Sequence, residues 1–223
     1  METKLGVKSE NKISDIKPIT LYLFVFYLAW TFKELWLAKY IHLFGDTTAA
    51  FLTALIKISI WIVPTWLYIK YYLKTNPIGY LKININVKKG LFFGVVLSLL
   101  LGLYFAFETY MLNNQTFDFT LSFNNYLNAI LLVGITEEIV FRGLILQEIS
   151  KRLPFWNANL ITAFLFLAIH YPIWIYNGDF LNLWSQIYVF LLGLIFGFVF
   201  KKTGSLWSVV ILHSFHNFFV SIT

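Results

Sequence analysis

The chain has 223 residues, 59% of them hydrophobic and only 13% charged, with a net charge of +6 and no cysteine. A soluble domain usually carries about 25% charged residues, so the composition excludes an ordinary soluble globule, and the lack of cysteine excludes disulfides and thiolate chemistry. The positive charge lies as lysines between long apolar runs, which makes it a topology signal and not a nucleic-acid footprint.

Residues 1–17 are polar and punctuated by Lys4, Lys8, Lys12 and Lys17, a short cytoplasmic tail. The apolar run that follows is too long for a signal-peptide core and has no small-residue cleavage site, so it reads as a retained first helix. Hydropathy draws seven spans, at about 19–37, 49–72, 90–112, 126–149, 159–175, 183–200 and 205–222. A basic polar connection, 74–89, follows the second. Lys151-Arg152-Leu153-Pro154 ends the fourth and Lys201-Lys202-Thr203-Gly204 the sixth, whereas the loops at 113–125 and 177–182 hold no Lys or Arg. With the N-terminus in the cytoplasm, the basic loops fall inside. The expected fold class is therefore all-α: a polytopic membrane helix bundle of about seven transmembrane helices, N-terminus in and C-terminus out, forming a single membrane domain over 18–223. Lys33–Glu34 and Lys57 lie within the first two spans, and a split there would make eight. Lys57 is expected to snorkel, His42 to sit in a solvated loop, and Gly193 and Gly197 to serve close packing within the monomer.

The fourth span carries Thr136-Glu137-Glu138-Ile139-Val140-Phe141-Arg142. Each such charge at a helix centre costs about 2.5–3.5 kcal/mol, so a functional site facing the bundle interior is the default reading. Glu138 and Arg142 share a helix face and can pair; as a pair they would serve structure as readily as chemistry. Glu137, rotated about 100° from Glu138, has no built-in partner. The fifth span holds Phe166-Leu167-Ala168-Ile169-His170 and the seventh His213-Ser214-Phe215-His216-Asn217. At about 1.5 Å per residue, Glu137, His170 and His213 lie roughly 21, 24 and 17 Å from the cytoplasmic ends of their helices, within about a turn of one level. A carboxylate and a histidine can hold and deprotonate a water, and a second histidine with an asparagine can donate to a developing oxyanion. One Glu and two His are also a zinc triad with an open position, although HExxH is absent. His216 reads as structural.

These residues resemble the three motifs of the CPBP family of intramembrane proteases, also called the Abi or CAAX-protease and bacteriocin-processing family. EExxxR stands at Glu137-Glu138 to Arg142, FxxxH at Phe166 to His170, and HxxxN at His213 to Asn217, in the family's order and over about 120–222. The resemblance implies catalytic roles for Glu137 and His170 on the water and for His213 and Asn217 at the oxyanion. Glu138 and Arg142 would shape and hold the site, and Phe166 opens the second motif. The family has been described both as metalloproteases and as glutamate-dependent proteases. The metal-free version is favoured here, with no cofactor; zinc is the alternative, on Glu137, His170 and His213. The implied function is an intramembrane endopeptidase acting on a membrane-associated peptide or protein within the lipid bilayer, with no nucleic-acid partner. Lysine-over-arginine bias and richness in Phe, Ile and Asn suggest a low-GC bacterium and its cytoplasmic membrane, hence peptide maturation, bacteriocin processing or self-immunity. The alternatives are a catalytically silent immunity or regulatory protein that binds within the membrane, and a proton-coupled transporter. Inverted repeats and broken-helix signals, which the transporter would call for, are not evident in the sequence.

Overall fold

A computed structural model of the chain describes residues 16–41 and 43–223, which are helical with no strand among them. The expected tail lies outside the described residues except for its last two positions, and Lys17 already opens the first helix. His42 also lies outside them.

The helices are α1 (Lys17–Ile41), α2 (Asp46–Tyr72), the short α3 (Pro77–Tyr80), α4 (Val87–Leu112), α5 (125–150), α6 (Phe155–Ala168), α7 (Tyr171–Asn177), α8 (Leu183–Thr203) and α9 (Trp207–Ile222). Each of the seven drawn spans coincides with one rod, α6 and α7 together making the fifth. Among the described residues, 5 rods are long and apolar enough to cross a membrane: α1, α2, α4, α6–α7 and α8. The other two depart for visible reasons: α5 carries Glu137, Glu138, Arg142 and Glu148, and α9 has 16 residues. The protein is an all-helical integral membrane bundle.

Its packing follows membrane logic. Lipid tails are as apolar as leucine, so helices associate through small residues that let backbones approach. α4 buries Gly90, Gly94, Ser98 and Phe105 and turns Leu99 and Leu103 outward. The small positions meet α9: a Cβ at Gly94 would lie 2.9 Å from the Ile211 Cβ. In α8, Gly193 and Gly197 pack against Ala163 and Asn159 of α6, a contact within the monomer.

The two ends of the bundle differ. At one, the 77–89 segment locks onto the starts and ends of three helices. Tyr80 donates to Glu148, Lys89 Nζ donates to the Lys202 carbonyl (2.9 Å) and Trp207 Nε1 donates to the Ile83 carbonyl (2.8 Å). This end carries Lys82, Lys151, Arg152, Lys201 and Lys202. At the other, the Asp118 amide donates to the Ile222 carbonyl at 2.8 Å, and Asn128 Nδ2 donates to the Ala50 carbonyl at 2.9 Å.

Neither early span is split; α1 and α2 run through as rods with π-helical turns at Lys33–Leu37 and Ile58–Ile62. The break falls in the fifth span, expected to be continuous. Pro172 opens α7; it has no N–H to give, and its ring clashes with the carbonyl four residues back, so α6 stops at Ala168.

Candidate active site

That break positions His170. A helix end leaves its last carbonyls without intrahelical partners, which is costly at membrane depth. Here four of the carbonyls at the break find donors. Tyr27 Oη donates to the Leu165 carbonyl, and Trp30 Nε1 donates to the Ile169 carbonyl at 3.0 Å. His170 supplies two more: its backbone N–H donates to the Leu167 carbonyl at 3.0 Å and its Nδ1 to the Phe166 carbonyl at 3.0 Å. A carbonyl can only accept, so Nδ1 carries the proton and Nε2 keeps a lone pair.

α5 presents the two carboxylates to different surroundings. Gly134 allows the approach to α9: a Cβ there would run into the Ser214 hydroxyl and sit 3.0 Å from the Val210 carbonyl oxygen. Glu138, 0% exposed, thereby reaches His213. Its Oε1 accepts from Arg142 Nη1 at 2.8 Å and from His213 Nδ1 at 2.8 Å. Arg142 donates through Nη2 to the Gly193 carbonyl at 2.9 Å, and its guanidinium lies over the rings of Phe166 (4.5 Å) and Phe196 (5.3 Å). A delocalised cation tolerates this apolar stacking where an ammonium would not. The stretch Ile139–Ile145, which includes Arg142, is π-helical, a departure frequent at functional sites.

Glu137 is buried, yet its Oε2 has no hydrogen-bond partner. The nearest charged or imidazole atom recorded is His213 Nε2, at 3.9 Å. Phe166 sits between the histidines, its ring centre 5.2 Å from that of His170 and 6.0 Å from that of His213. With Nδ1–H given to Glu138, a neutral His213 turns a lone pair toward Glu137; donating from Nε2 requires the imidazolium, which would share Glu138 with the Arg142 guanidinium.

Glu137, His170 and Asn217 line one cavity of about 500 Å³. His213 does not line it but lies next to Glu137, with Nε2 3.9 Å from Glu137 Oε2. Asn217 gives one amide proton to the Ala129 carbonyl (2.9 Å) and accepts from His216 Nδ1 (3.0 Å). His216 Nε2 meets the Tyr188 hydroxyl at 2.6 Å, so this histidine braces Asn217.

Sequence reasoning missed a cationic member of this cavity. Lys57 does not snorkel: it is 6% exposed, lines the cavity, and donates to the Asn128 carbonyl at 2.9 Å. Lys33 and Glu34, paired at 2.8 Å, line the same space. Among the described residues no three His, Asp or Glu side chains converge closely enough to share a metal ion; His170 and His213 each engage Nδ1 with another partner and leave Nε2 without a hydrogen-bond partner.

The set can hold a water between a carboxylate and an imidazole lone pair, with an amide N–H and a carboxylate-backed imidazole beside it. Residues 119–219 match the family model described as Type II CAAX prenyl endopeptidase Rce1-like. No curated protein and no solved structure matches the chain. The matched stretch contains all three motifs, and by them this region is similar to the CPBP family of intramembrane proteases.

Proposed function

We propose that the protein is an intramembrane endopeptidase of glutamate type, hydrolysing a peptide bond of a membrane-associated peptide or protein with no covalent intermediate. The observation that carries this reading is the presence, in the lining of one cavity, of a carboxylate oxygen without a partner and an imidazole whose tautomer leaves Nε2 as an acceptor. Glu137 takes a proton from a water that His170 Nε2 helps hold. The water oxygen bonds to the scissile carbonyl carbon, and negative charge moves to the carbonyl oxygen. The second amide proton of Asn217 and the Nε2 proton of a protonated His213 can meet that charge. Glu137 then passes its proton to the amide nitrogen, the C–N bond breaks, and a carboxylate and an amine leave.

No cofactor enters these steps. Zinc held by Glu137, His170 and His213 is the rival chemistry; it would use the Nε2 lone pair of each imidazole, with Nδ1 kept on its present partner. The substrate is proposed as a membrane-bound peptide in bacterial peptide maturation, bacteriocin processing or self-immunity. The description of the matching family also brings lipid-modified CAAX tails into consideration, and a cavity between membrane helices suits a lipid-linked chain.

The test compares the peptides of membranes carrying the wild type and Glu137→Gln at equal protein level. A peptide whose processed form disappears in the variant is the expected result. Identical peptide sets, with the wild type folded and abundant, overturn the peptidase reading. Stoichiometric zinc in the purified protein, with activity lost to a chelator and restored by zinc, would replace the metal-free mechanism and keep the site.

A further inference from the structure

The two halves of α5 differ on either side of Glu137. Toward the start of the helix, Asn125, Asn128 and Val133 line the cavity, whose rim continues through Asn124 and, at the end of α9, Ser221. Toward the other end of α5, Leu146, Gln147 and Ser150 line a separate cavity of about 270 Å³, which Glu137 does not line. Val140, Phe141, Arg142, Leu144 and Ile145 are 0% exposed, a plug of side chains between Glu137 and the end that carries Lys151, Arg152, Lys201 and Lys202. Water and peptide therefore reach Glu137 from the end opposite the basic one.

The basic end is the cytoplasmic one by the rule that short loops rich in Lys and Arg stay inside. The cavity-side loops, 113–124 and 178–182, carry Asp118 and Asp179 and neither Lys nor Arg. We infer that the cavity opens away from the cytoplasm and that the substrate presents its scissile bond on the extracytoplasmic side of the membrane. The inference rests on the peptidase reading only for the word substrate; the sidedness of the cavity stands without it. A peptide secreted through the membrane, or the outer juxtamembrane segment of an anchored one, can enter such a cavity. The carboxyl tail of a protein lying on the cytoplasmic face would have to pass the plug.

The absence of cysteine makes a test independent of any substrate. Ser221→Cys and Thr53→Cys place one thiol each on the cavity wall, and Ser150→Cys places one at the exposed basic end. Cells are treated with a charged, membrane-impermeant maleimide, intact or permeabilised. The expected result is labelling of Ser221→Cys and Thr53→Cys in intact cells to the same extent as after permeabilisation, and labelling of Ser150→Cys only after permeabilisation. The reverse pattern overturns the inference, as does cavity thiols that stay unlabelled in both states of folded, abundant protein. Because proteolysis is not the readout, reversed labelling would leave the peptidase reading standing, and unchanged peptide sets in the Glu137→Gln comparison would leave the sidedness standing.

Discussion

Glu137 and Glu138 are chemically identical neighbours in two different regions of the molecule. Glu138 belongs to a closed network, with Arg142 and His213 at 2.8 Å on the same oxygen and aromatic rings over the guanidinium. Glu137 belongs to an open one, with an oxygen that has no partner and a cavity in front of it. One residue step on a helix turns a side chain by about 100°, enough to send one carboxylate into packing and the other toward reactants. The comparison teaches that a doubled acid in a membrane helix need not be a doubled function: in the proposed mechanism one member fixes the geometry in which the other acts.

The sharpest way to break this comparison is to remove the charge from the closed network. Glu138→Gln or Arg142→Met strands its partner in a low-dielectric interior, and either change should cost about 3–5 kcal/mol of stability, read as thermal unfolding in detergent. The double variant should regain part of the loss, because no stranded charge remains. A single variant as stable as wild type would mean that the network does not hold the bundle together.

Glu137→Gln is the mirror experiment. It should leave unfolding unchanged and lower turnover by roughly 10²–10⁴, the usual weight of a general base. A variant that loses stability and keeps its rate would exchange the roles assigned to the two neighbours.

Asn217→Ala asks whether the open region stabilises charge as well as water. Loss of one oxyanion donor costs about 10²–10³ in rate, so kcat should fall with KM little changed. A rise in KM at constant kcat would make Asn217 a substrate contact or a mere brace for Ala129 and His216.

Lys57→Met is the mildest of the four and sharpens the comparison by testing the cation that lines the same cavity. A neighbouring charge in an effective dielectric near 20 contributes on the order of 1–2 kcal/mol, which is about tenfold in kcat. Lys57→Arg should restore most of it if charge is what matters. Equal loss in both variants would assign Lys57 to holding the Asn128 carbonyl and so to structure alone.

The rods were legible because hydropathy and lysine placement report directly on membrane passage. So was the Glu138–Arg142 pair, since spacing on one helix fixes proximity. The break in the fifth span was written in Pro172, a local signal overlooked because the segment is apolar throughout. What local reading could not give were partners distant in the chain. Lys57 is held by a carbonyl 71 positions away and His213 by a carboxylate 75 away, and no periodicity encodes which helix comes to rest beside which. The same limit hid the tautomer of His170, which depends on where a helix ends.

The first helix has a bearing on how this kind of protein can be divided. Tyr27 and Trp30 cover the carbonyls exposed where α6 stops, yet both lie well before the 119–219 stretch that carries the motifs. Cut out on its own, that stretch would carry its motifs intact and expose two backbone acceptors to lipid, at several kcal/mol each. The hydrolytic apparatus is thus not a transplantable cassette; its integrity is a property shared with a partner segment whose own sequence announces nothing beyond hydrophobicity.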